Sequence, residues 1–381
     1  MTTVMSLTRS VERLGAVLLI GVGLLLAACS SVEKPKPQPL GPNPEMLAVK
    51  KAWSAQIGEV SLPLRVTSVG TEFAVASNQG LVAVLDGRTG QDVWRVALDA
   101  PLAAGVGYDG KHAAVVTKEN TLVVLSAGKV SWRASLTSSV STPPLVAGNR
   151  VFVLAGDRSV YAFDAASGKS LWQQQRGSES LVLRQPGLMT PMGDTLVVGQ
   201  GNRLVALNPL SGAVRWELPV ATSRGTNEVE KLIELAAGVA REGQQLCMRA
   251  YQNAVACVET GKPVLQWSKA SAGYSGLAGD SETVFGADSQ GTVSAYRRSN
   301  GELLWSSNLL RYRQLGSPQV VGRSVVLGDA DGNVHLLAKT DGTLLTRLQT
   351  DGSPVAAVPV LSVQTLVVVT HRGGVFGFRP E

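Results

Sequence analysis

Histidine, cysteine and aromatic side chains are all scarce in this chain, and each shortage narrows what it can do. The three histidines, His112, His335 and His371, fall in separate stretches with no cysteine or carboxylate at ligand spacing, which argues against a metal centre. No nucleophile elbow, P-loop or glycine-rich dinucleotide fingerprint stands in the strand and helix context it would need. Helical periodicity persists nowhere except over residues 226–237. The apolar run over residues 14–26 is thirteen residues long, too short for a stable bilayer span. The formal charge of +6 comes without any basic run interleaved with aromatics, so it does not indicate nucleic acid.

What the chain has instead is a repeat. Gly80-Leu-Val-Ala-Val-Leu-Asp86 runs through Thr89-Gly90 to Trp94, and Ser159-Val-Tyr-Ala-Phe-Asp164 runs through Ser167-Gly168 to Trp172. The same pattern leads to Trp216 and Trp305, with weaker copies ending at Trp132, at Trp267 (where Gly261 is displaced) and at Thr346. Successive positions are mostly 38 to 44 residues apart, with one interval of 51, and a period near forty with several short strands per unit is the signature of a β-propeller blade. The last run, Gly374 to Phe378, has no tryptophan after it, whereas Trp53 has no run before it. If Trp53 supplies the outer strand to the blade begun near Gly374, the two ends close an eight-bladed all-β ring and remove its open edges. An open solenoid or a pair of sandwiches would fit the strands but not the complementary ends.

Arg9 and Arg13 precede the apolar run, which reads as a signal peptide over residues 1–28. It ends Leu26-Ala27-Ala28-Cys29, the form of a bacterial lipobox, with the Cys29 thiol as acceptor of a diacylglycerol. Ser30 rather than Asp follows, which for such lipoproteins implies the outer membrane and a mature protein on its periplasmic face. Several acyl chains suffice for stable anchoring. Pro35, Pro37, Pro39, Pro42 and Pro44 make residues 29–45 an extended tether of roughly 3 Å per residue that would hold the ring, residues 46–381, off the membrane.

Removing residues 1–28, which carry two Arg and one Glu, leaves a charge of +5, a surplus suited to an acidic protein or lipid head groups. Cys247 and Cys257 then remain, symmetric about Gln252; a hairpin would set them opposite one another for a disulfide, while two separate buried thiols fit the sequence as well. Residues 226–237, with Val229, Leu232 and Ile233 at helical spacing, read as a short helix or ordered loop inserted in a blade. Asp329-Ala-Asp331-Gly-Asn333 matches the opening of a calcium loop, but Thr340 stands where the closing Glu is required, and an Asp-Gly turn accounts for it.

The Ala-hydrophobic-Asp-x-x-Thr/Ser-Gly-x-x-x-Trp pattern resembles the repeat of pyrroloquinoline-quinone-dependent enzymes, in which the tryptophans pack between blades. That implies a structural role for Trp53, Trp94, Trp132, Trp172, Trp216, Trp267 and Trp305. Quinoprotein dehydrogenases are much longer and often carry an adjacent Cys-Cys pair, absent here. Lipobox, proline-rich tether and eight repeats together resemble the BamB family, lipoprotein subunits of the outer-membrane β-barrel assembly machinery, over essentially the whole mature chain. The segments Ser180-Leu-Val-Leu-Arg-Gln-Pro186 and Arg224-Gly-Thr-Asn-Glu-Val-Glu-Lys-Leu232 strengthen it. The resemblance implies a non-catalytic scaffold without cofactor or metal. It implies binding of the POTRA domains of BamA through Leu181, Leu183, Arg184 and Glu234 and association with the rest of that machinery; a separate hypothesis is that exposed blade edges pair with strands of unfolded outer-membrane protein clients. Ala236 departs from the family, where a second Asp is common. Without the resemblance, Leu181 and Leu183 read as blade core. Two other classes compete, a periplasmic quinoprotein enzyme and a glycan-binding propeller.

Overall fold

In most units the second and third strands are largely apolar and buried rather than alternating, as in Phe73 to Ala76 and Val82 to Leu85, all at most 1% exposed. A strand buried on both faces needs no polar side. Such strands must lie between two other sheets, and radial stacking supplies both neighbours. The outer strands differ: Asp92–Ala97 alternates between exposed and half-buried positions, one face against the next blade and one toward solvent.

The computed structural model describes residues 35–175, 182–222 and 232–381. It forms eight four-stranded antiparallel sheets arranged as propeller blades. Blades 1 to 7 each take four consecutive strands, over residues 67–97, 102–135, 145–174, 189–219, 240–270, 278–307 and 319–349. Blade 8 combines three C-terminal strands, the last being Gly374–Pro380, with Val49–Gln56 from the other end. The expected closure is therefore present, and the expected blade count holds.

The tryptophans occupy one register. Trp94 lies opposite Val84, Trp132 opposite Val124, Trp172 opposite Ala162, Trp216 opposite Ala206, Trp267 opposite Cys257, Trp305 opposite Ala295 and Trp53 opposite Gly377. A β-bulge sits beside each of them, and it re-aims the outer strand so that the indole points at the next blade. There the indole N–H donates to a turn carbonyl: Trp132 to Ala165 at 2.8 Å, Trp172 to Pro209 at 3.0 Å, Trp267 to Arg298 at 2.7 Å and Trp305 to Lys339 at 2.8 Å. Thr346 keeps the bulge and register in blade 7 but lacks the indole. The reason is geometric. The next blade is blade 8, whose third and outer strands come from opposite chain ends, so no connecting turn exists there to receive one.

Residues 37–46 correct the expected tether boundary. The ring unit begins at Pro37, not at residue 46. Gln38 N–H donates to Arg311 O, and the Arg313 guanidinium donates to Gln38 O at 2.9 and 3.1 Å. Leu40 packs against the core cluster that includes Leu310 and Leu315. Asn43 exchanges two hydrogen bonds with the backbone of Arg347, and Met46 N–H donates to Leu345 O. The segment thus lies along the free edge of the outer strand Leu344–Gln349. Pro39, Pro42 and Pro44 lack the N–H groups of a full ladder, so it caps the edge without becoming a strand.

A disulfide joins Cys247 and Cys257, which face each other across a hairpin with Cα atoms 4.0 Å apart. Among the described residues there is no helix; of the segment 226–237, residues 226–231 lie outside them, and Leu235 and Ala236 make β-bridges to Ala250 and Gly187.

Candidate partner-binding cleft

On the face that carries the connections between blades, a cleft of about 330 Å³ opens between blades 3 and 4. Three connecting segments build it. The one before blade 3 supplies Ser138, Ser139 and Thr142, the one before blade 4 supplies Val182 to Gln185 and Gly187, and the one before blade 5 supplies Glu234. They are tied together by hydrogen bonds: Gly187 N–H donates to the Thr142 side-chain Oγ1 at 2.9 Å, Leu188 N–H to Leu235 O at 2.9 Å, and Ala237 N–H to Pro186 O at 3.0 Å. Gly199 is needed at the join, because a Cβ there would come within 2.8 Å of the Leu235 Cβ.

The sequence-derived site residues fall as follows. Leu183 is half-buried in the cleft wall, with Val182 and Arg184 exposed on either side of it. Leu181 lies outside the described residues, as do residues 224–231 of the acidic segment. Glu234 reaches the same cleft but does not present an open carboxylate. Its Oε1 accepts from Arg158 Nη2 at 2.6 Å and Nε at 3.2 Å, and its Oε2 accepts from Gly201 N–H at 3.3 Å. Ala236 is buried, with its N–H bonded to Arg249 O at 3.0 Å, so the departure from the family sits inside the ring. Arg158 was not legible as a site residue, since its partner is 76 positions away.

The histidines sit apart from this cleft. His335 Nε2 lies 2.9 Å from Asp329 Oδ2, both side chains fully buried, and Arg313 joins the same carboxylate at 3.2 Å. Asp329 also caps the backbone N–H groups of Asp331 and Asn333, which accounts for the Asp-Gly sequence as a turn. Burial alone would raise the Asp329 pKa, but the His335 hydrogen bond and charge and the Asn333 contacts outweigh it and hold the carboxyl below its usual range. Burial pushes His335 down. Among the described residues no three His, Cys, Asp or Glu side chains gather as a metal-ligand set.

A family model described as outer membrane protein assembly factor BamB matches residues 78–307. The protein of that name from Burkholderia pseudomallei (strain K96243) is 38% identical over 366 residues, covering 94% of this chain and 96% of its own. The chain belongs to the BamB family. The Bordetella pertussis (strain Tohama I) member is 33% identical over 375 residues, with 96% of each chain covered. The crystal structure of BamB from Moraxella catarrhalis superposes with a TM-score of 0.79 at 24% identity, over 87% of this chain and 99% of that one. The quinohemoprotein alcohol dehydrogenase of Comamonas testosteroni, at a TM-score of 0.67 and 14% identity, covers 90% of this chain and 79% of its own and shares the fold alone. The cleft therefore stands on a ring architecture that also serves enzymes, and its chemistry must be read from its own residues.

Proposed function

We propose that this ring is a non-catalytic scaffold of the outer-membrane β-barrel assembly machinery, held by lipid on Cys29 at the periplasmic face and taking a POTRA domain of BamA at the cleft between blades 3 and 4. The observation that carries the reading is the wall formed by Val182, Leu183 and Arg184, an apolar pair beside an exposed guanidinium on a connecting segment that the ring holds in place. Burying a half-exposed leucine contributes about 1–2 kcal/mol, and a charge-assisted bond from the arginine about 1.5–3 kcal/mol, which is the composition of a small hot spot. Relatives covering nearly the full chain carry the name of an assembly factor, which supports a role without chemistry or cofactor. The mechanism is positional: a bound POTRA domain is kept in an orientation that receives unfolded outer-membrane proteins. The open edges of outer strands such as Asp92–Ala97, with Val93 50% exposed, are suited to pairing with client strands.

The test is co-purification from solubilised envelopes. BamA is expected with the native lipoprotein and not with a folded Leu183→Asp/Arg184→Glu variant; equal recovery with both removes the cleft from the reading. Cys29→Ala is expected to release the protein from the membrane fraction. Quinone-dependent absorbance in the purified protein would instead favour an enzyme, and retention on a glycan column a saccharide-binding ring.

A further inference from the structure

Arg158 stands in a backbone conformation that its side chain disfavours. Its φ is +65°, and its N–H closes a four-residue turn onto Ala155 O. The same closing position is Gly80, Gly291, Gly332 and Gly373 in blades 1, 6, 7 and 8, and Asn120 in blade 2, all at positive φ. Glycine takes this region freely and asparagine tolerates it, whereas a long side chain pays a steric penalty in it. Strain borne by a long side chain at such a turn points to a local use for the residue that bears it.

The use is visible in what Arg158 holds. Its guanidinium, only slightly exposed, donates from two nitrogens to Glu234 on the segment before blade 5. Its own carbonyl accepts from Gln200 of blade 4 at 2.8 Å. Glu234 in turn bonds Gly201 of blade 4 through Oε2 and receives Tyr251 N–H of blade 5 on its backbone carbonyl at 2.9 Å. One ion pair therefore ties blades 3, 4 and 5 together beneath the wall that carries Leu183 and Arg184.

We propose that Arg158 is a positioning residue of the partner-binding cleft: through Glu234 it locks the connecting segments before blades 4 and 5, so that Leu183 and Arg184 are presented in one arrangement. Glu234 then acts within the ring and does not itself touch the partner. This rests on the reading of the cleft as the BamA site.

The decisive variant is Arg158→Gly combined with Glu234→Gln, which removes both charges of the ion pair and relieves the strained turn. Full-length lipoprotein in detergent is compared with this variant for melting temperature, for hydrogen exchange over residues 182–188 and 232–237, and for affinity toward purified BamA. The expected result is a melting temperature not lowered, faster exchange in both segments, and binding at least tenfold weaker, with Arg158→Lys intermediate. Native exchange in the variant overturns the proposal, as does native affinity despite faster exchange. Weaker binding with native exchange also overturns it, since Arg158 would then be a direct contact. If the native protein fails to bind BamA while the variant's segments loosen, the partner reading fails and the positioning role stands.

Discussion

The indole of Trp53 lies against Gly90, and its N–H donates to Gly87 O at 3.1 Å, so a residue near one chain end clasps blade 8 onto blade 1. Gly90 has a φ of +72°, and an added Cβ would run into the indole. Gly90→Ala therefore combines a left-handed backbone penalty with overpacking, together roughly 2–4 kcal/mol. Gly148→Ala is the control, with φ of +57° but nothing within 4 Å of its Cβ, and should cost only about 1–2 kcal/mol. Urea denaturation of the two variants checks the difference.

Removing the disulfide should destabilise blade 5 without changing the fold. The bridge spans a sequence separation of 10, and closing a loop of that size constrains the unfolded chain by about 2–3 kcal/mol. Both cysteines are fully buried, so dithiothreitol should leave the bond intact until denaturant is added. Free-thiol titration with and without urea, beside a Cys247→Ala/Cys257→Ala variant, measures both effects.

Acid should weaken the ring through blade 7. His335 has its pKa lowered by burial, and its Nδ1 has no partner among the described residues, so protonation would place an unpaired N–H in the core. Because the folded pKa lies below the unfolded value of about 6.5, the stability this group contributes is complete above that value and is lost as pH falls below it. Asp329, also depressed, adds a second loss below its own unfolded value of about 3.9. The slope cannot exceed about 1.4 kcal/mol per pH unit for each proton. Urea midpoints at pH 7, 6 and 5 should decline in the native protein and flatten in His335→Gln.

The strap over residues 37–46 should protect blade 7 in particular. Asn43→Ala removes two hydrogen bonds to Arg347 and should cost roughly 1–3 kcal/mol. Hydrogen exchange is expected to rise in Leu344–Gln349 and to stay unchanged in Asp92–Ala97, whose edge has no such cover among the described residues.

The ring was legible because a blade is a local object. Trp94, Trp172 and Trp305 recur at a fixed distance from their glycine turns, and the unmatched Trp53 and Gly374 at the two ends imply closure. The pairing of Cys247 with Cys257 depended on a register that spacing alone leaves open. The strap was misread because proline-rich extended backbone looks the same whether it is solvated or packed, and only Leu40 and Asn43 hinted at docking. The pair Arg158 and Glu234 was hidden for a different reason: a left-handed turn is a property of backbone, not of residue type. Aligning the repeats would have shown an arginine where Gly80, Gly291 and Gly332 stand.

The pairing of Val49–Gln56 with Gly374–Pro380 also sets an order of events in synthesis. The first outer strand made must wait for the final strand, more than three hundred residues later, before it has a partner. Until then Lys50, Trp53 and their neighbours belong to no sheet, and the growing stack of blades carries an unsatisfied edge. Closure therefore comes last, and a chain cut back to residue 373 would lack the strand on which the circle shuts.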